Sequence, residues 1–317
     1  MTKGGQIEVE VAGVEALALA IASFDLRPVG GGELPPFTAG AHIDLYLPQG
    51  LVRSYSLVNP QEERHRYVIA VNRDASSRGG SAWVHDHLQP GQRLVVAPPR
   101  NNFPLAEDAA HSLLIAGGIG ITPLWSMIQR LEGLGRSWEL VYCARTRAHA
   151  AFHDQLRACG GSVRFNFDGE PGGALLDLAA VVAAAPDDAH LYCCGPVSML
   201  AAFEQATMGI APERVHVEYF SAKAPPAKER GYTLVLARSG RTFEVKPGKT
   251  IIDTLMAAGV DSPYSCLEGV CGTCETRVIE GLPDHRDLVL SKSERAANRT
   301  MMICVSGSLS DRLVLDL

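Results

Sequence analysis

The sequence predicts a multidomain chain: a small antiparallel β-barrel, an α/β domain built on a parallel sheet, and a compact α+β domain at the end. Three observations carry this. Short strand-like runs broken by Gly/Pro turns fill residues 37–99. An apolar run meets a glycine cluster and opens a helix within LLIAGGIGITPLWSMIQRL (113–131), with more strand-like runs behind it. Three cysteines crowd into CLEGVCGTC (266–274), and a fourth follows at Cys304.

Length and composition set the frame. A chain of 317 residues suits two or three domains, and 46% apolar with 20% charged residues is enough to bury real cores. The net charge is −6 and the basic residues are scattered, which disfavours nucleic acid. No apolar run reaches the roughly 18 residues a membrane helix needs, and MTKGGQIEVE lacks a signal-peptide core. Eight cysteines in so long a chain read as reduced thiols, so a cytoplasmic protein is expected.

In the first domain, FTAGAHIDLYL (37–47), LVRSYSLVNP (51–60), RYVIAVNR (66–73) and GQRLVVAPP (91–99) read as strands. Arg53, Tyr55 and Ser56 cluster on one of them. Arginine pairs with phosphate, a tyrosine ring can lie against a flat cofactor, and a hydroxyl can reach a ring nitrogen. R-x-Y-S also fits an ordinary half-buried strand. RGGSAWVHDHL (78–88) puts two glycines before a helix, whose free N–H groups at Gly80 and Ser81 can cradle a phosphate.

In the second domain, Gly117, Gly118 and Gly120 let backbone approach a diphosphate, and the helix near Thr122–Pro123 supplies N–H donors. This is not G-x-G-x-x-G, because Pro123 stands where the third glycine would be. Alone it also fits a tight turn. ELVYCAR (139–145), SVRFNF (162–167) and HLYCCGP (190–196) read as further strands, each ending where an α/β sheet places its ligand-facing loops. Past the second strand, Arg145 and Arg147 stand where an acid marks NAD, which by itself favours NADPH.

The last domain turns on Cys266, Cys271, Cys274 and Cys304, spaced C-x4-C-x2-C, 29 residues, C. That is the plant-type [2Fe–2S] arrangement. Gly269 and Gly272 let backbone pass close to the sulfides with N–H groups turned inward. Structural zinc sites instead present two similar ligand pairs in sequence, and disulfides need an oxidising compartment. Around the loop, YTLVLARSGRTFEV (232–245) reads as a hairpin turning at Ser239–Gly240, TIIDTLMAAG (250–259) as a helix closed by Gly259, and residues 301–317 as late strands.

Hairpin, helix, cysteine loop and returning strand resemble a plant-type ferredoxin of β-grasp fold. AGGIGITP followed by YCCGPVSML resembles the pyridine-nucleotide domain of the ferredoxin-reductase family, and RSYS, AVNR and GGSAW its flavin barrel. A two-electron hydride donor and a one-electron cluster need a flavin between them. The three motif sets in this order, with PRNNFPL (99–105) at the first junction, resemble the phthalate dioxygenase reductase family over nearly the whole chain.

That resemblance implies a flavin domain (1–107), an NAD domain (108–222), a linker (223–230) and a ferredoxin domain (231–317). It implies FMN rather than FAD, held by Arg53, Ser54, Tyr55, Ser56, Ala70, Val71, Gly79, Gly80 and Ser81. It implies NADH rather than NADPH, at Gly118, Gly120, Thr122, Pro123, Cys194, Gly195, Pro196 and Phe220. Ser56, Thr122 and Cys194 stand nearest the hydride step, though Cys194 also reads as a buried strand-end thiol. The activity implied is NADH to FMN to [2Fe–2S] to a Rieske-type terminal oxygenase acting on an aromatic acid or similar compound, by a monomer. An FAD-containing monooxygenase reductase and a non-catalytic iron–sulfur redox sensor are the alternatives.

Two expectations concern surfaces. Between Asp253 and Asp287, seven acids face two arginines, so an acidic face should steer a basic partner. His149 and His153, four apart, lack the glutamate of H-E-x-x-H and read as a solvated helix face.

Overall fold

The computed structural model describes residues 5–74, 79–220 and 226–317, and the chain divides into two compact units, Met1–Tyr219 and Phe220–Leu317. The first unit opens with β1 (Ile7–Ala18), β2 (Ile21–Pro28), β3 (His42–Tyr46), β4 (Val52–Ser56) and β5 (Tyr67–Asn72), then α1 (Gly80–His87) and β6 (Arg93–Val96). These strands form one antiparallel sheet in the order β4-β3-β6-β1-β2-β5. A Leu57–Ile69 bridge joins the chain past β4 to β5, so the sheet closes on itself as a barrel. Alternating residues of β1–β6, among them Val9, Phe24, Leu26, Ile43, Leu45 and Ile69, fill its interior. The long β1–β2 hairpin has no counterpart among the expected strands. Its turn at Leu19–Ala20 lacks the Asn-Gly or Gly-X signature, and Ala20 adopts a left-handed φ of +61°.

The parallel domain follows: β7 (His111–Gly117), α2 (Ile121–Leu134), β8 (Ser137–Ala144), α3 (His153–Arg157), β9 (Ser162–Phe167), α4 (Leu178–Ala183), β10 (His190–Cys194), α5 (Val197–Ala206) and β11 (Val215–Glu218). Its order is β11-β10-β7-β8-β9, all parallel. The chain winds from β7 toward β9, then returns to the other side of β7. Sheets of this kind bind ligands at such a reversal, which here falls at the carboxyl ends of β7 and β10. Barrel and sheet share a core in which Ala39, Val58, Ala70 and Phe103 pack with Leu114, Leu124 and Tyr192. Hydrogen bonds cross the same boundary: Gly40 N–H to Ser126 Oγ at 3.1 Å, Gln129 Nε2 to Val58 O at 2.8 Å, and Ala106 N–H to Tyr192 Oη at 2.8 Å.

The second unit contains β12 (Tyr232–Leu236), β13 (Thr242–Val245), α6 (Ile251–Ala257), β14 (Glu275–Glu280), β15 (Pro283–Asp284), α7 (Lys292–Ala297), β16 (Thr300–Met302), β17 (Gly307–Ser308) and β18 (Arg312–Leu315). The main sheet runs β13-β12-β18-β14-β16, with β12 and β18 parallel at its centre, and β15 pairs with β17. The first hairpin turns at Gly240 (φ +66°) as expected. A capping box between Thr250 and Asp253 starts α6, and Gly259 (φ +66°) ends it. Ile251, Ile252 and Leu255 bury one face of that helix against Leu234, Val245 and Leu313, so a seven-residue helix is held by packing. Of the expected linker, residues 223–225 lie outside the described residues.

Candidate functional site

The cysteine loop lies between α6 and β14. Cys271, Cys274 and Cys304 are buried and Cys266 is half-buried. The four thiols stand as two pairs, Cys266 with Cys271 and Cys274 with Cys304, each close enough for a thiol to hydrogen-bond its neighbour. A hydrogen bond from Cys266 lowers the Cys271 thiol, and the same contact raises Cys266. Cys304 is raised likewise by its bond with Cys274. Backbone N–H groups converge on the sulfurs: Glu268 N lies 3.3 Å from Cys266 Sγ, Val270 and Cys271 point at the same atom, and Gly269 points at Cys304 Sγ. Ser262 and Ser265, just ahead of Cys266, bury hydroxyls with no partner among the described residues.

Gly269 is required here. Its φ is +69°, and a Cβ would lie 2.5 Å from Val305 Cγ2. Leu267 bends the loop at φ +58° and exposes its side chain beside Cys266. Among the described residues no set of three or more His, Cys, Asp or Glu converges on a point suited to one ion. Two thiol pairs wrapped in inward N–H groups suit two bridged irons rather than one tetrahedral zinc.

In the barrel, Arg53 on β4 crosses the N-terminus of α1. A Cβ on Gly80 would come within 2.6 Å of Arg53 Nε, so only glycine lets the guanidinium lie over the helix start. Gly79, at φ +91°, leaves that start without a side-chain cap. A guanidinium over the N–H groups of a helix start is an arrangement that suits a phosphate. Ser56 Oγ is buried with no partner among the described residues, an orphan that a ring nitrogen or carbonyl of a flavin would satisfy. Tyr55 is half-buried on the same strand, and burial pushes its hydroxyl up to about 12.

Other expected flavin contacts are engaged elsewhere. Ser54 Oγ donates to the buried Asp44 at 2.7 Å, inside a network that Arg100 completes. Ser81 Oγ accepts from Asp74 N–H at 3.2 Å. Ala70 and Val71 bury their side chains, and Val71 O lies 2.9 Å from His85 Nε2.

At the crevice of the parallel sheet the two glycine motifs interlock. A Cβ on Gly120 would lie 2.1 Å from Cys194 O, and one on Gly117 would lie 2.6 Å from Pro196 Cδ. One on Gly195 would meet Met199 Sδ at 2.8 Å. Gly118, at φ +55°, faces open space. Thr122 and Pro123 are buried, and Thr122 Oγ1 donates to Ile119 O at 2.9 Å, so this pair holds the turn. Cys194 is fully buried and burial raises its thiol far out of the thiolate range, which makes it a wall of the crevice and not a nucleophile.

Sequence reasoning missed Met199 and Glu218. Glu218 pairs with Cys194 across β10 and β11, its Oε2 is buried without a partner among the described residues, and burial pushes its carboxyl up to about 8. Nothing in EYFSA separates such an acid from a surface one. Phe220, the first residue of the second unit, exposes its ring.

Two surface expectations need correction. Asp287 is 1% exposed, Asp284 binds Arg286 at 2.8 and 2.9 Å, Glu280 pairs with Arg312, and Asp253 caps α6. Asp261 and Glu275 remain exposed, with Glu268 half-buried, so the acidic face is much weaker than the count of acids implies. His149 and His153 do not share a helix. The His153 ring packs 4.5 Å from that of Phe165 and is not solvated.

Comparison with known proteins agrees with this geometry. Residues 234–307 match the 2Fe-2S iron-sulfur cluster binding domain. The chain is 59% identical over 294 residues to the phenoxybenzoate dioxygenase subunit beta of Ectopseudomonas oleovorans, covering 93% of this chain and 92% of that one. It is 52% identical to the tetrachlorobenzoquinone reductase of Sphingobium chlorophenolicum, covering 98% of both. With the phthalate dioxygenase reductase of Burkholderia cepacia it shares 40% identity over 99% of this chain and 98% of that one. A solved structure of phthalate dioxygenase reductase, described as modular for electron transfer from pyridine nucleotides to [2Fe–2S], superposes with a TM-score of 0.75 at 39% identity, over 99% of this chain and 98% of that one. An intact type IV self-sufficient cytochrome P450 monooxygenase matches all of this chain with a TM-score of 0.88 at 39% identity, but this chain spans only 42% of its length. No helix among the described residues is long and apolar enough to cross a membrane. Cysteine loop, Arg53 over the start of α1 and interlocked glycine turns thus occur in a chain that belongs to the phthalate dioxygenase reductase family, the electron-transferring oxidoreductases of oxygenase systems.

Proposed function

We propose that this chain oxidises NADH at the parallel-sheet crevice and delivers electrons singly, through FMN and the [2Fe–2S] cluster, to a terminal oxygenase. The observation that carries this is the cysteine loop: two thiol pairs, each facing inward N–H groups. Bound together, a flavin and a [2Fe–2S] cluster divide a hydride's two electrons into single transfers. The turn at Gly118–Gly120 that leads into α2 would offer backbone N–H groups to the diphosphate, while Cys194, Gly195 and Pro196 would wall the nicotinamide end. Arg53, Gly80 and Ser81 would hold a terminal phosphate, which suits FMN, and the buried Ser56 hydroxyl would find its partner on the ring. We assign the flavin domain to residues 1–107, the nucleotide domain to 108–222 and the ferredoxin domain to 231–317.

NADH is favoured over NADPH by kinship with the phthalate dioxygenase reductase, although Arg145 and Arg147 both stand exposed past β8, with Arg147 Nη2 3.4 Å from the exposed Asp154 Oδ1. The partner we propose is a Rieske-type oxygenase acting on an aromatic acid, docking near the half-buried Cys266, with the chain itself a monomer in the cytoplasm. A second reading is favoured by the tetrachlorobenzoquinone reductase relative, namely delivery of electrons to a small quinone. NADH consumption with a quinone alone, set against product formation with oxygenases encoded beside this chain, tests both. Product with an oxygenase supports the first reading, and quinone-dependent consumption without oxygenase turnover overturns it in favour of the second.

A further inference from the structure

Two of the N–H groups that face the thiols belong to Gly269 and Val270, which are not ligands. A segment far along the chain, Arg286–Leu290, packs beneath the cysteine loop, and Asp287 lies at its centre, 1% exposed. Asp287 Oδ2 accepts from Val289 N–H at 3.1 Å and from Leu290 N–H at 2.9 Å, which closes the segment into a tight turn ahead of α7. That turn presents Leu288 N–H to Gly269 O at 2.8 Å. The Gly269 carbonyl belongs to the peptide whose N–H is that of Val270, and Val270 N–H points at Cys266 Sγ. A peptide is planar and trans, so fixing its oxygen fixes the direction of its N–H. On the other side of the same Cα, Gly269 N–H points at Cys304 Sγ. Gly269 has no room to drift, because a Cβ there would stand 3.1 Å from Asp287 Cα and 2.5 Å from Val305 Cγ2.

We infer that Asp287 is a positioning residue for the cluster: by closing the 287–290 turn it fixes the Gly269–Val270 peptide and aims its N–H at the Cys266–Cys271 pair, and so raises the reduction potential. Hydrogen bonds to cluster sulfurs favour the reduced, more negative form, and groups outside the ligand set that orient such bonds have large effects on metal sites. A buried carboxyl is otherwise a poor choice for this turn, since it must be offset by His285 Nδ1 at 3.8 Å and Arg295 Nη2 at 3.9 Å. The inference rests on the cluster reading above.

The test compares Asp287→Ala with Asp287→Asn in the full-length, cluster-loaded protein. Both remove the charge, but only asparagine keeps an acceptor for Val289 and Leu290. Redox titration followed by electron paramagnetic resonance should place the alanine variant below the asparagine variant, by about tenfold in the reduced-to-oxidised ratio, or about 59 mV for one electron. Asp287→Ser, a weaker acceptor, should fall between them and replaces alanine if that variant retains no cluster. Equal potentials in loaded variants would overturn the positioning role and leave the cluster reading intact. Absence of iron and sulfide from the wild type would instead defeat the cluster reading itself.

Discussion

The cysteine loop of the second unit and the phosphate cradle and crevice of the first are built from opposite materials. The loop binds through four side chains, and its backbone tunes them. As proposed, the cradle and the crevice would bind largely through backbone N–H groups, beside the Arg53 guanidinium, and their glycines matter for the atoms they lack: Gly80 under Arg53, Gly120 against Cys194 O. A site made of side chains should fail outright when one is removed. One made of backbone should fail only where an added atom has nowhere to go.

The largest effect is therefore expected at a ligand. Cys274→Ser should bring bound iron and sulfide to background while flavin content and NADH-driven reduction of an artificial acceptor persist, as metal analysis and a ferricyanide assay would read. Retention of a full complement of iron would erase the contrast. Next comes Gly120→Ala, whose Cβ would sit 2.1 Å from Cys194 O. The displaced crevice should slow NADH-driven flavin reduction on the order of 10²-fold in stopped flow, with flavin and iron content unchanged.

Arg53→Ala removes one charge-assisted partner from a cradle that keeps its N–H groups. Flavin affinity should fall by about 1.5–3 kcal/mol, measured by fluorescence of released flavin on dilution. A loss no larger than for an exposed arginine such as Arg27 would mean the cradle holds no phosphate.

The smallest effect concerns Glu218. Its carboxyl sits at about 8 in the folded chain against an ordinary 4.5. The folded chain thus keeps a proton that the unfolded chain releases. The stabilisation is complete below about 4.5 and is lost as the pH rises toward about 8. In Glu218→Gln the decline in unfolding free energy between pH 5 and 8 should be shallower, by on the order of 1–3 kcal/mol. Identical pH profiles by urea denaturation would show that the acid is not held neutral.

The same contrast explains what the sequence could disclose. C-x4-C-x2-C and its distant fourth cysteine were legible because thiolate chemistry needs those atoms at that spacing. The glycine turns were legible as turns, but only the structure shows that Gly117 and Gly120 press against Pro196 and Cys194 across a sheet whose order reverses there. Ser54 reads in R-S-Y-S as one more polar residue facing a cofactor, yet strand alternation turns its hydroxyl to Asp44. The acids near the cluster misled for a related reason. A count of charges does not see that Asp287 is interior, or that Asp284 already has Arg286. Glu218 and Asp287 act through burial, which arises from contacts far apart in sequence.

The claim on which the rest depends is that the first unit loads the second with electrons taken from NADH. An anaerobic titration of the purified protein with NADH, followed by visible absorption and electron paramagnetic resonance, tests it directly. The expected result is bleaching of flavin and cluster absorption together with the rhombic signal of a reduced [2Fe–2S] centre. A flavin that bleaches while an intact, iron-loaded cluster stays oxidised at every ratio of NADH would contradict it.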